Sequence, residues 1–205
     1  MLENTNVVTI ERAMKDDDRV AAELTLMAYK DMSYEIFGAK NDEEILKYYS
    51  ALWQADNNRF SYCYSFLAKV EGTPIGLMTC YIPDLTKKLI LPTIKQVLGI
   101  CGARFIMHIL THLNYFVPFA STVEANADEF YIGTLAVLPE YRSQRVGVKL
   151  LEYMRQLAKA QGYSKCSLLV DADNEGGILF YEKNGFVKAL HEIKPREYYK
   201  MVDSF

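Results

Sequence analysis

The stretch from Glu129 to Phe186 constrains the fold more than any other part of this 205-residue chain. Tyr131-Ile132-Gly133-Thr134-Leu135-Ala136-Val137 reads as a strand and runs into Leu138-Pro139-Glu140-Tyr141. The loop Arg142-Ser143-Gln144-Arg145-Val146-Gly147-Val148 follows, and a helix is expected from about Val146 to Ala160. Val146, Leu150, Leu151, Met154, Leu157 and Ala158 form its apolar face, and Gly162 is placed to end it in a left-handed turn. Cys166–Val170 is a second strand, and Asp171–Gly176 leads into a short helix, Gly177–Asn184, closed by Gly185. A strand, a helix and a second strand in this order predict a parallel pair with a right-handed crossover. The first loop opens a helix, so free backbone N–H groups and the positive dipole end collect there, with Arg142 and Arg145 beside them. Such a place attracts anions.

The remaining elements surround this unit. Val7–Ile10 reads as a first strand, and Asp16-Asp17-Asp18 offers N-caps for a helix with Val20, Leu24 and Met27 on one face. Asn41 with Glu44 three residues on forms a capping box for a helix carrying Ile45, Tyr49, Leu52 and Trp53. Phe66–Val70, the turn Glu71-Gly72-Thr73-Pro74 and Ile75–Cys80 make a hairpin by pattern. From Pro83 to Ala127 lies an inserted helical segment. Pro92 is expected to open a short helix to about Ile100, with Gly99 and Gly102 as breakers, before a longer helix from Phe105 to Phe116. Phe186–Ile193 and Tyr198–Val202 close the chain as antiparallel strands around Lys194-Pro195-Arg196. The expectation is one α/β domain over residues 1–205: a mixed, mostly antiparallel sheet with flanking helices and a helical insertion before the central strand.

Composition narrows the function classes. Half of the residues are apolar, enough for a full core, and a net charge of −3 offers no global basic field for nucleic acid. Cys63, Cys80, Cys101 and Cys166 show no paired spacing and read as buried thiols in a reducing compartment. Met1-Leu2-Glu3-Asn4-Thr5 lacks a signal-peptide pattern. Phe105–Val123 carries no formal charge, but His108, His112, Asn114 and Pro118 make it a poor membrane span. A cytoplasmic protein without a membrane partner is expected. His108 and His112 share the i, i+4 spacing of metal-binding helices, yet Ile109 stands where a zinc-protease glutamate would follow, so no metal is assigned.

Tyr131 to Val148, Asn174, and Leu179-Phe180-Tyr181-Glu182-Lys183-Asn184-Gly185-Phe186 together resemble the GCN5-related N-acetyltransferases, the GNAT family. The resemblance implies an acyl-CoA N-acyltransferase-like fold with the sheet splayed between its two central strands, and acetyl-CoA as co-substrate. It implies that the pantetheine arm bonds to the backbone of Leu135, Ala136 and Val137. The pyrophosphate would rest on Arg142, Ser143, Gln144, Arg145, Val146, Gly147 and Val148, with Asn174 and Tyr181 facing the thioester. One departure stands out: the family's loop usually has two glycines two residues apart, and here the first is Arg145. If that position is left-handed, a non-glycine residue costs about 1–2 kcal/mol, which a guanidinium bound to phosphate can offset.

Acetyl transfer needs a neutral amine, a stabilised oxyanion and a proton for the thiolate. A lysine-like amine is only roughly 0.1% neutral near pH 7.4, so a base or a desolvating pocket is required. Tyr181 is the candidate acid, and Glu129, on the same strand face as Tyr131, the candidate base, with a water relay as an alternative. The oxyanion would meet the N–H of Val137 or Ala136. Asn174 could equally cap the following helix. The expected activity is transfer of acetyl to a small-molecule or peptide primary amine by direct attack; the alternative is a non-catalytic acyl-CoA-binding or regulatory module. The insertion is expected to shape acceptor choice or to form a subunit contact in a homodimer.

Overall fold

A computed structural model of the chain describes residues 7–192 and 196–205. In chain order the elements are β1 (Val8–Arg12), α1 (Asp18–Tyr29), α2 (Asp31–Phe37), α3 (Asp42–Gln54), β2 (Ser65–Val70) and β3 (Thr73–Tyr81). Then come α4 (Pro83–Lys88), α5 (Ile90–Cys101), α6 (Ala103–Thr111), α7 (Leu113–Ser121), β4 (Glu129–Val137) and α8 (Val146–Ala160). The last elements are β5 (Lys165–Asp171), α9 (Glu175–Lys183), β6 (Val187–Glu192) and β7 (Tyr198–Ser204). The strand order is β1-β2-β3-β4-β5-β7-β6. Pairs β1·β2, β2·β3, β5·β7 and β6·β7 are antiparallel, while β4·β5 is parallel, as the strand–helix–strand pattern requires. Residues up to Thr79 with Thr134–Tyr153 form one compact unit, and Cys80–Gly133 with Met154–Phe205 form a second.

In the first unit the hairpin is tighter than its pattern suggested. Val70 pairs with Thr73, leaving only Glu71 (φ 49°) and Gly72 (φ 80°) as the turn. Two successive positive φ values match the twist of the flanking strands. Leu24, Leu67 and Leu77 are fully buried around Trp53, whose indole N–H donates to the Met14 carbonyl at 2.9 Å. The expected Asp cap of α1 is absent: Asp17 accepts from the Met14 N–H (2.8 Å) and lies 3.8 Å from Lys69 Nζ. Asn41 does cap α3, accepting from the Glu44 N–H at 3.0 Å, but Glu44 returns its bond to the N–H of Lys40 rather than Asn41.

The second unit holds the insertion, which has four helices instead of two. Pro92 lies in the first turn of α5, where its missing N–H costs nothing, and Gly99 stays inside that helix. Gly102 (φ 68°) is the true break. The expected long helix stops at His112, whose backbone leaves the helical region (φ −124°, ψ 33°). Phe105, His108 and Phe116 then fold together, with the two phenylalanine rings edge to face at 6.2 Å. In the same unit, Arg155 donates to Asp203 (2.7 Å) and to the Asn184 carbonyl, tying α8 to β7 and to the end of α9. The cysteines are free thiols, but only Cys80 and Cys166 are buried; Cys63 and Cys101 are half-buried. Ile193, Lys194 and Pro195, read as strand end and turn, lie outside the described residues, as does Met1–Thr5.

Candidate functional site

Residues expected to serve acetyl transfer fall in both units. In the first, β4 ends at Val137, and a single turn of 3-10 helix, Pro139–Tyr141, leads into the loop. Ser143 (φ 65°) and Arg145 (φ 60°) both adopt the left-handed conformation, so the position where the family usually has glycine does demand it. Two left-handed residues with an intervening one curl the backbone into α8. The first amide bond into the helix is Lys149 N–H to the Arg145 carbonyl (3.0 Å), so the N–H groups of Val146, Gly147 and Val148 precede it and project from the helix start. Arg142 through Arg145 are exposed, Val146 is buried, and Gly147 and Val148 are half-buried. Arg142 is steered by its Nε–H, which donates to the Val137 carbonyl at 3.3 Å, and by Met27 Sδ at 3.4 Å. Gln144 folds back, donating to the Glu140 carbonyl at 3.0 Å. The loop therefore offers N–H donors at a helix start and two guanidinium groups, a chemistry suited to a diphosphate.

Gly76 sets the height of this loop. A Cβ there would stand 3.2 Å from the Ala136 carbonyl oxygen and 3.4 Å from both Val146 Cγ1 and Leu150 Cδ1. Its bare backbone thus lets α8 settle onto the strand end. Leu135 and Val137 are half-buried and Ala136 is buried; Thr134 is tied to the Tyr29 hydroxyl at 3.3 Å.

In the second unit Asn174 caps α9, its side-chain oxygen accepting from the Gly177 N–H at 3.0 Å. A side chain at position 177 would press on that amide, since its Cβ would fall 2.7 Å from Asn174 Nδ2. Tyr181 sits two turns along the same helix, edge-on to Phe180 (5.3 Å) and Phe186 (5.5 Å). Tyr181 is half-buried, and desolvation beside these rings pushes its phenol pKa above the ordinary value.

Glu129 lies at the start of β4, where parallel pairing with β5 runs from Glu129↔Lys165 to Ile132↔Leu168 while β4 continues to Val137. Its carboxylate accepts from Asn126 N–H (2.8 Å) and Asn126 Nδ2 (2.7 Å), and Lys200 Nζ stands at 2.7 Å. Both members of this ion pair have side chains only 5% exposed. Desolvation works to raise the Glu129 pKa, but the Asn126 bonds and Lys200 outweigh it, and the net direction is down.

Lys200 and Tyr81 carry no motif that marks them in the sequence. Tyr81 stacks on Tyr131 (6.2 Å between rings, 23° between planes) and lies across Gly133, where a Cβ would come within 2.5 Å of its ring. The alternation of β4 exposes Gly133 as an interruption, which was the available signal. Among the described residues no three His, Cys, Asp or Glu side chains gather as a metal site; the His108 and His112 rings lie 4.4 Å apart, tilted by 42°.

A left-handed, arginine-bearing turn at the head of a helix between parallel strands is the local geometry that suits a phosphate-bearing ligand. A model of the Acetyltransferase (GNAT) family matches residues 26–186, and the chain belongs to that family. Over 102 residues it is 32% identical to the [ribosomal protein bS18]-alanine N-acetyltransferase of Escherichia coli K12, covering 50% of this chain and 66% of that protein. The curated relatives it matches are spanned over 39% to 66% of their own lengths. Among solved structures it is similar to an N-acetyltransferase from Staphylococcus aureus Mu50, with TM-score 0.69, 24% identity, and 95% and 99% of the two chains covered. It also resembles the PaiA N-acetyltransferase of Thermoplasma acidophilum, solved with coenzyme A, at TM-score 0.56 and 17% identity over 97% and 99% of the chains. These structural likenesses bear on the fold.

Proposed function

We propose that the protein is an acetyl-CoA-dependent N-acetyltransferase acting on a primary amine by direct attack. The observation that carries this reading is the turn with Ser143 and Arg145 left-handed, followed by the open amides of Val146 to Val148. Family membership and the relatives named as N-acetyltransferases support it over a non-catalytic acyl-CoA-binding module. In this reading the loop residues Arg142–Val148 hold the diphosphate of coenzyme A, and the backbone of Leu135–Val137 takes the pantetheine amides. Asn174, its oxygen committed to the cap, has its amide hydrogens left to meet the cofactor.

The amine nitrogen attacks the thioester carbonyl carbon, and the N–H of Ala136 or Val137 receives the oxyanion. Collapse breaks the C–S bond, and Tyr181 gives its proton to the departing thiolate. The phenol is restored by the proton lost from the amine, relayed through water, so the products are amide and free thiol. Between an ordinary phenol and an ordinary thiol this transfer is uphill by about 2 kcal/mol. Desolvation raises the Tyr181 phenol further, so the proton is given up only as negative charge gathers on the sulfur during collapse.

Glu129 is a weak base when it already serves two Asn126 donors and Lys200, so we assign it to anchoring the start of β4 and leave amine deprotonation to water. The acceptor class follows the relatives only as far as a peptide or protein amine. We place the protein in a reducing cytoplasm, in keeping with its free cysteines. A thiol-release assay over a panel of amines and N-terminal peptides tests the proposal. Turnover with at least one amine, lost in Tyr181→Phe while coenzyme A still binds, is expected; coenzyme A binding without turnover on any amine would return the protein to the non-catalytic class.

A further inference from the structure

The insertion carries an apolar surface that acetyl transfer does not explain. On α6, Ile106 and Leu110 lie one turn apart with Met107 beside them, and on α7 Leu113 and Val117 repeat that spacing. These five side chains are between 48% and 63% exposed. Half-exposed aliphatic residues of this size show on the order of 500 Å² together, which reaches the largest patch usual on a monomer. On α5, Leu91 and Ile94 are also exposed, with Lys95 one turn from Leu91 on the same face.

Charge decides what fits there. Between Asp84 and Glu124 the sequence holds no acidic residue, yet it holds Lys87, Lys88, Lys95 and Arg104, in a chain of net charge −3. Lys88 is met by Asp84, at 3.9 Å with both side chains largely exposed, a contact worth little. A second copy docked about a two-fold axis would set these cations against themselves. A protein interface would also exclude lysine from its apolar centre. A lipid surface welcomes both features: aliphatic side chains enter the acyl boundary while lysine ammonium groups reach up to anionic headgroups. Among the described residues no helix is long and apolar enough to cross a membrane, so the contact would be peripheral.

We propose that the helices α4 to α7 form a docking face for an anionic lipid surface, seating the apolar stripe with Lys87, Lys88 and Lys95 at the headgroups. It makes no use of the catalytic assignment. Flotation of the full chain with phosphatidylcholine vesicles, with and without phosphatidylglycerol, tests it. Binding is expected only with phosphatidylglycerol, reversed by high salt. Lys95→Gln should weaken it about fivefold, near the weight of one basic residue at such a surface. Met107→Glu with Leu110→Glu should weaken it roughly tenfold or more, with circular dichroism unchanged. No binding to anionic vesicles at low salt overturns the proposal. So does equal binding to neutral ones, or a stable dimer in sedimentation that Met107→Glu and Leu110→Glu dissociate, which would assign the face to a second copy.

Discussion

Replacing Arg145 by glycine should push stability and cofactor affinity in opposite directions, and the structure sets both sizes. Arg145 holds φ at 60°, a conformation that costs a side-chain-bearing residue about 1–2 kcal/mol. Glycine relieves that cost but loses more chain entropy on folding, about 0.5–1 kcal/mol. The guanidinium is exposed, and the residue's described bond is made by its backbone carbonyl to Lys149, which glycine keeps. Arg145→Gly is therefore expected to stabilise the protein by about 0.5–1 kcal/mol, a rise of roughly 1–4 °C in Tm for a chain of this length. Affinity should fall, because a charge-assisted bond to phosphate is worth about 1.5–3 kcal/mol when formed, or somewhat less at an exposed site. A loss of roughly five- to fiftyfold in coenzyme A binding follows. Arg145→Ala is the control: it removes the charge and keeps the backbone cost, so affinity falls without the gain in Tm. Calorimetric melting and titration with coenzyme A measure the two quantities. A Tm that drops in Arg145→Gly refutes the strain argument, and an unchanged affinity refutes the phosphate assignment.

Other perturbations follow from the same geometry. Tyr181→Phe should lower kcat roughly a hundredfold, within the usual range for a lost general acid, with coenzyme A affinity unchanged by titration; an unaltered kcat would remove Tyr181 from the mechanism. Gly133→Ala drives a methyl into the Tyr81 ring and should cost about 1–3 kcal/mol in urea unfolding, and a neutral result would mean the ring moves freely. Glu129→Gln strands a buried lysine and should cost about 3–5 kcal/mol. Because the folded-state pKa of Glu129 is lowered, its contribution is full above the unfolded carboxylate pKa and is lost as pH falls through the folded value. Melting temperature against pH should lose part of its acid limb in Glu129→Gln; an acid limb identical to the parent's would deny the pairing.

Local pattern was enough for much of this protein. The α8 span from Val146 to Ala160, the hairpin of β2 and β3, and the parallel β4·β5 pair rest on periodicity, turn residues and crossover handedness, all written within short windows of sequence. The resemblance marked position 145 as one where the family usually carries glycine, and the structure shows Arg145 there left-handed. Tertiary structure decided what lay outside any window. Lys200 reaches Glu129 across 71 positions of sequence, and the two make a buried ion pair. Tyr81 lies over Gly133 only because two strands distant in the chain come together, and His112 ends α6 where spacing alone would have carried the helix on. A side chain's secondary structure follows from neighbours a few residues away, whereas its charge state and partners depend on burial, which is set by contacts the chain makes only after it has folded.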